Sequence, residues 1–271
     1  MPPDTGTRLR TLYEPVGGVA QIFSPKVADY LASRPGYPAK LFESLTSTCN
    51  LRNGAVVADI GAGTGLFTHG LLQHGYQVIA VEPNAAMRAA ADQLLTGYPG
   101  YRSEHGSAES LPIQPSSVDL ITAAQAFHWF EIDRSRAEFL RVLRPKGKVA
   151  LIWNDRVLTD PLHIALDEIF TRYGGAKRDA LVAHESRSDL PKFFGSTVPA
   201  ELTWNHEHCL DQSGLLSLVF SRSYMPDRSS LPGREVSHHV CEAFQRFATE
   251  AGVIVRYTTV AIVGRPSEVK V

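Results

Sequence analysis

The stretch that most constrains this chain is Asp59-Ile60-Gly61-Ala62-Gly63-Thr64-Gly65. It follows AVVADI, a short apolar run of the kind buried on both faces of a sheet, and precedes LFTHGLLQHG, which has helical spacing. Glycines at a strand-to-helix turn let the backbone close and let a ligand press against it. The start of the helix offers free N–H groups. A second apolar run, QVIAVEP, ends at Glu82, 23 residues after Asp59. A carboxylate in that place can accept both hydroxyls of a ribose. A tight turn needs the glycines but neither acid, so loop and acids together point to a ligand that carries a nucleoside. The spacing is not the GxGxxG of dinucleotide binders, and no GK[ST] follows to hold a triphosphate.

Beyond the loop, NAAMRAAADQLL reads as an alanine-rich helix with Asn84 as N-cap. A weaker strand is expected near Tyr101–His105, then strong strands in VDLITAAQ and GKVALIWN. Between these two lies the helix DRSRAEFLRVLRP, with Asp133 as cap and Pro145 beyond its end. Strand–helix alternation from 55 to 154 predicts a doubly wound α/β sheet. Upstream, residues 1–37 read as an irregular arm with a short helix at Val27–Ser33, and Pro38 opens a helix to about Thr48. Downstream, residues 160–195 read as helix and loop. The strand AELTWNHEHCL, the helix and turn SGLLSLVFSRSYMP, a long helix ended by Gly252 and the strand VIVRYTTVAIVG follow. No linker divides the chain. The expected layout is one domain over 1–271: an arm (1–52), core sheet and helices (53–155 and 200–271, with part of a substrate cover to 230) and an insertion (156–199).

Composition removes several function classes. Lys+Arg 27 against Asp+Glu 28 gives a formal charge of −1, no global reason to bind nucleic acid or an anionic membrane. The N-terminus has no apolar signal region, and no run approaches the ~18 apolar residues of a membrane span. Three scattered cysteines, Cys49, Cys209 and Cys241, suit a reducing compartment, so a cytoplasmic protein is expected. His206 and His208 share one strand face, with Cys209 next to them and no further ligands, and His238, His239 and Cys241 read as helix surface, so no metal is expected. Arg134, Arg136, Arg141 and Arg144 read as solvation of a helix and its C-terminal end.

An acid just before the glycines, with only Ile60 between, suits an ammonium better than a pyrophosphate, which favours S-adenosylmethionine, an amino acid joined to a nucleoside through a sulfonium. DIGAGTG, VEP, GSAESLP, VDLITAAQAFHWF and FLRVLRPKGKVALIWN together resemble the class I S-adenosylmethionine-dependent methyltransferases of the type 11 domain. FSPKVADYLASRPGYP, HWF and RYTTVAIVG are similar to the trans-aconitate methyltransferase-like subgroup. The resemblance implies a Rossmann-like, doubly wound sheet of seven strands with the last antiparallel, plus a helical cap. It implies that Asp59, Gly61, Gly63 and Gly65 line the methionine end of the cofactor, that Glu82 holds the ribose, and that Pro83 and Met87 flank the adenine. Ala108 and Glu109 approach the adenine edge, Gln125 and Ala126 face the methionyl part, and Tyr30 and Arg34 close over the cofactor.

The activated methyl comes with the cofactor, so the protein's task is positioning. Phe23, Trp129 and Tyr224 are candidate aromatic walls, and Arg222, Ser223 or Tyr224 can hydrogen-bond a polar substrate. His128 can serve as base for a hydroxyl or amine; a carboxylate needs none. The expected activity is methyl transfer to a small molecule, at oxygen. The alternatives are transfer to carbon or nitrogen, a non-catalytic module that binds the cofactor, and a nicotinamide-dependent oxidoreductase.

Overall fold

The computed structural model describes residues 5–16, 18, 21–185 and 187–267. Two arm helices come first, α1 (Thr5–Tyr13) and α2 (Val27–Ser33), then α3 (Ala39–Cys49), entered from Pro38 in extended conformation. The alternating part follows: β1 (Val56–Ile60), α4 (Leu66–Gln73), β2 (Gln77–Val81), α5 (Ala85–Leu95), β3 (Tyr101–Glu104), β4 (Val118–Ala124), α6 (Ile132–Val142) and β5 (Leu143–Arg156). Next are α7 (Pro161–Glu185), kinked at Gly175, and α8 (Leu190–Phe194). The chain ends with β6 (Ala200–Leu210), α9 (Gln212–Phe220), α10 (Leu231–Phe247) and β7 (Val253–Gly264).

All seven strands join one sheet in the order β3-β2-β1-β4-β5-β7-β6. Strands β1 to β5 pair in parallel, and β7 enters antiparallel between β5 and β6. The expected doubly wound sheet with an antiparallel last strand is present. Chain direction across the sheet reverses between β1 and β4, which leaves a crevice at their carboxyl ends. Ile60 and Ala124 stop there, and so does the glycine loop.

Alternation along the strands splits the core. Val57 and Leu120 pack with Leu41, Leu71 and Leu95 on one side, whereas Ala58 and Ile121 pack with Phe127, Phe139 and Phe193 on the other. A third cluster joins α7, α9 and α10 through Phe170, Phe220, Val236 and Val240 to Val255 and Tyr257 of β7. No helix among the described residues is long and apolar enough to cross a membrane.

Several boundaries differ from expectation for local reasons. α6 is capped by Glu131, not Asp133, because Ile132 is buried and must sit on the helix; Asp133 instead pairs with Lys192 at 2.8 Å. Pro145 lies inside β5, in the stretch where the β4–β5 register jumps, so its missing N–H interrupts no regular ladder. α10 ends at Phe247, with Ala248 as C-cap. Gly252 has φ +111° in the turn before β7, where a Cβ would meet the Leu210 carbonyl, so glycine is required there and not at the helix end. Helix α1 was not visible in the sequence.

Phe139 is fully buried and meets Phe130 and Phe193 edge-on at 6.0 and 5.7 Å. Phe139→Ala is expected to lower unfolding free energy by about 3–5 kcal/mol, since neighbouring rings cannot all collapse into the gap. Urea melts of the two proteins measure it.

Candidate active site

Asp59 is the last residue but one of β1 and is 1% exposed. Its two oxygens accept hydrogen bonds from Thr68 Oγ1 of α4 at 2.6 Å and Thr122 Oγ1 of β4 at 2.8 Å. Burial pushes the carboxyl up to about 6, against the pull of these two hydroxyls. Glu82, after β2, is also buried, and burial raises its carboxyl too. Its Oε2 accepts the Gly63 N–H at 2.9 Å and its Oε1 the Asn84 N–H at 2.8 Å. Asn84 in turn caps α5, its Oδ1 accepting from Met87 N–H at 2.9 Å. The second acid is therefore locked to the first glycine turn and to the next helix. Neither carboxylate forms an ion pair with a cation among the described residues.

Two adjoining cavities open on this loop. One, of about 520 Å³, is lined by Glu82, Pro83, Met87, Ala108, Glu109 and Ala126. The other, of about 460 Å³, is lined by Arg34, Asp59, His128, Arg222, Ser223 and Tyr224. Phe23, Tyr30, Gly61, Gly63, Gln125 and Trp129 line both, and so mark the junction. Gly65 is not on either wall: a Cβ there would sit 2.6 Å from Leu95 Cδ1 and 3.2 Å from Ala91 Cβ, so this glycine lets α5 approach the start of α4. Gly61 and Gly63 differ. Both have positive φ (+71° and +57°), but a Cβ on Gly61 would strike Ala126, while one on Gly63 meets nothing within 4 Å and would project into open space.

The arm closes the junction with rings. Phe23 lies edge-on to Tyr30 at 6.4 Å and to Trp129 at 5.9 Å, and Tyr13 meets Trp129 at 5.6 Å. The Arg34 guanidinium stacks on Tyr30 at 4.6 Å. Glu109 Oε1 accepts from Arg10 of α1 at 3.1 Å and from the Glu131 N–H at 2.8 Å, so it ties the arm to the start of α6 as well as facing the cavity. His128 and Trp129 sit on one helical turn, Phe127–Trp129, with ring centroids 4.8 Å apart. Tyr13 Oη donates to Ser223 Oγ at 2.9 Å.

The sequence reading missed Tyr37, Trp153, Asn154, Asp155, Arg156 and Tyr257, all on the wall of the 460 Å³ cavity. Four of them end β5, beside β4 at the crevice. Their signal was the strand order, since the carboxyl end of the strand next to the reversal faces the same crevice. Tyr37 stood in the quoted RPGYP, and Tyr257 reaches the site only because β7 inserts next to β5.

A family model described as a methyltransferase domain matches residues 58–151. An uncharacterized methyltransferase of Mycobacterium tuberculosis is 35% identical over 202 residues, 74% of this chain and 76% of that one. The chain belongs to the S-adenosylmethionine-dependent methyltransferases. An uncharacterized methyltransferase-like protein of Schizosaccharomyces pombe is 37% identical over 152 residues, which cover 56% of this chain and 58% of the relative's length. Among solved structures, a candidate type II methyltransferase from Anaeromyxobacter dehalogenans superposes with a TM-score of 0.59 at 26% identity, covering 86% of this chain and 97% of that one.

The methyltransferase site fits its cofactor. The open space above Gly63 would let a ligand press against the backbone, and two buried carboxylates, neither in an ion pair among the described residues, suit an ammonium and a pair of ribose hydroxyls. A pyrophosphate placed there would face both acids, which argues against a nicotinamide dinucleotide. Arg34 brings a guanidinium, which suits a carboxylate, to the same cavity that Asp59 lines.

Gly63→Val is expected to abolish binding of S-adenosylhomocysteine, because the side chain fills that space. The protein should still fold, destabilised by about 1–2 kcal/mol for a branched residue at positive φ. Calorimetric titration and a melting curve test the two parts separately. A pH titration tests Asp59. With its carboxyl raised to about 6, the ligand-free native state holds a proton that the unfolded chain has lost between about pH 4 and 6. Stability from this group is therefore present at low pH and is lost as pH rises through that window, by roughly 3 kcal/mol. Ligand binding runs the other way. Below pH 6 an ammonium must displace the proton, so affinity for S-adenosylhomocysteine should fall about tenfold per pH unit and level off above pH 6. A flat profile between pH 5 and 7 would remove Asp59 from the ammonium site.

Proposed function

We propose that the enzyme transfers the methyl group to an oxygen of a small molecule bound in the 460 Å³ cavity. The cofactor's nucleoside would occupy the 520 Å³ cavity, with Glu82 on the ribose, Pro83, Met87, Ala108 and Glu109 about the adenine, and Gln125 and Ala126 along the methionyl chain. Asp59 would take the ammonium and Arg34 the carboxylate. The observation that carries the reading is the second cavity itself, which continues past the junction and is walled by polar as well as aromatic groups. A non-catalytic module would use the Asp59 and Arg34 end of that space for the cofactor's amino-acid part, but not the end walled by His128, Arg222 and Tyr224.

The bound cofactor supplies an electrophilic methyl on a sulfonium. The chain's own part would be to hold an acceptor oxygen at the junction of the two cavities, where that methyl group would be supplied. Phe23, Tyr30 and Trp129, shared by both cavities, present ring faces or edges to the junction. Their closure excludes water from the transfer. His128, on the acceptor side only, would take the proton of a hydroxyl acceptor at its ring nitrogen. A carboxylate acceptor would leave it as a positioning group. The arm to residue 52, the insertion 156–199 and the stretch to 230 would form the cover over both ligands.

The experiment is transfer from labelled S-adenosylmethionine to a metabolite extract, with the product bond identified. Label released by mild base marks a methyl ester; stable label on oxygen marks an ether. Label on carbon or nitrogen would overturn the oxygen assignment. With a hydroxyl acceptor, His128→Gln should lower kcat by about 10²–10⁴ while KM stays within a few-fold. An unchanged kcat with such an acceptor would remove His128 as base.

A further inference from the structure

We propose that the acceptor carries a hydrocarbon arm, which reaches from the reacting oxygen to Leu158, Leu181 and Val182 on the wall of the 460 Å³ cavity. The proposal deepens the reading above and rests on it for the place of the acceptor.

Leu158 is 56% exposed. Single exposed leucines are ordinary on a protein surface. Leu31, Leu94, Ile164, Val198 and Leu231 are others of the kind, and none of them lines either cavity. Leu158 does, and its place is fixed by the turn that joins β5 to α7. The Val157 N–H donates to the Arg256 carbonyl at 3.3 Å, and the Asp160 N–H donates to the Val157 carbonyl at 2.9 Å. Asp160 Oδ1 accepts from the N–H groups of Leu162 and His163 at the head of α7, at 3.0 and 3.3 Å, and its Oδ2 accepts from Arg256 at 2.7 Å. A side chain on so anchored a turn has no way to fold back into the core. It stays in water until something apolar covers it.

The other two side chains come from the far half of α7. Gly175 takes φ +55° and ψ −156°, a conformation open to glycine alone, and the helix bends there. Arg178 reaches back across the bend to both oxygens of Asp167, at 2.9 and 3.0 Å. Leu181 and Val182 follow Arg178 by one helical turn and so share its face. That ion pair therefore sets which face of the helix meets the cavity. Leu181 also packs on the small cluster of Leu9, Tyr13 and Ile22, as do Phe23 and Trp129 at the junction. The apolar part of the wall thus begins where the methyl group would be supplied.

The charges at the end of β5 are met within the protein. Asp155 pairs with Arg187, whose guanidinium lies over the Trp153 ring at 4.6 Å. Arg156 pairs with Asp167 at 2.9 Å. A hydrocarbon arm laid along this wall strips water from no unmatched charge of β5 and gains with each methylene it buries. It leaves His128, Arg222 and Ser223 for the polar end of the acceptor.

The test is calorimetry and ligand-observed NMR on the full chain with saturating S-adenosylhomocysteine. The probes are 1-butanol, 1-hexanol, 1-octanol and 4-propylphenol. Each is set against the partner with a second hydroxyl at its far end: 1,4-butanediol, 1,6-hexanediol, 1,8-octanediol and 4-(3-hydroxypropyl)phenol. Affinity should rise about tenfold or more from 1-butanol to 1-octanol, and 1-octanol should bind about tenfold tighter than its diol. Leu158→Asp should weaken 1-octanol about fivefold or more and leave S-adenosylhomocysteine unchanged. Leu231→Asp, at a leucine that is 65% exposed and lines neither cavity, should change neither. No gain with chain length, diols that bind as tightly as the alcohols, no binding of any probe, or equal 1-octanol affinity in Leu158→Asp and Leu231→Asp overturns the proposal. Should Leu158→Asp melt early, Leu158→Ser carries the test, since it adds no charge. Failure of S-adenosylhomocysteine to bind overturns the cofactor reading instead, and the probe series on the ligand-free chain still decides the role of Leu158.

Discussion

A carboxylate buried without a counter-ion is the constraint around which this methyltransferase is arranged. Asp59 leaves water at the end of β1 and is compensated only by hydroxyls from α4 and β4. Those two bonds join the strand before the loop, the helix after it and the strand across the reversal of the sheet. The loop between them can then be made of glycines without becoming loose. Glu82 repeats the device one strand over, with backbone N–H groups of Gly63 and Asn84 as its donors. Both acids stay costly in the empty protein because burial disfavours their charge. A ligand that brings an ammonium and hydroxyls relieves that cost, so part of the binding energy is stored in the fold before the ligand arrives.

The half of the chain that alternates strand and helix was legible because its signals are local. Short continuous apolar runs, an Asn cap at the head of α5 and glycines at a strand-to-helix turn each act over a few residues, and each recurs in the structure at the expected place. Gly65 shows the limit. Sequence gives it the same standing as Gly61 and Gly63, yet its missing Cβ makes room for Leu95 rather than for a ligand. Only the packing of α5 on α4 distinguishes the two uses. The acceptor side was less legible for a related reason. Trp153 to Arg156, Tyr257 and Arg222 lie far apart in the chain, and they meet because β7 inserts between β5 and β6 and because α7 and α9 pack over that edge. No local pattern encodes such a meeting.

The arm and the turn after α9 are joined through the same chemistry that caps helices. Lys26 Nζ donates to the carbonyls of Phe220 at 2.8 Å and Met225 at 3.2 Å, and Arg34 donates to the carbonyl of Ser221 at 3.2 Å. Two arm cations thus hold the carboxyl-terminal end of α9, where the helix dipole favours positive charge. Asp29 of α2 adds an ion pair to Arg228 at 2.7 Å, and Tyr13 reaches Ser223. Arg222 lies inside this set of contacts. A displacement of the arm therefore cannot expose the cofactor crevice without also shifting the turn that carries Arg222, which couples the two ligands through one piece of structure. Arg34 belongs to both sides of that link: it stacks on Tyr30, donates to the Ser221 carbonyl and lines the same cavity as Arg222. A ligand that orders the arm would in this way also set the turn after α9 in place.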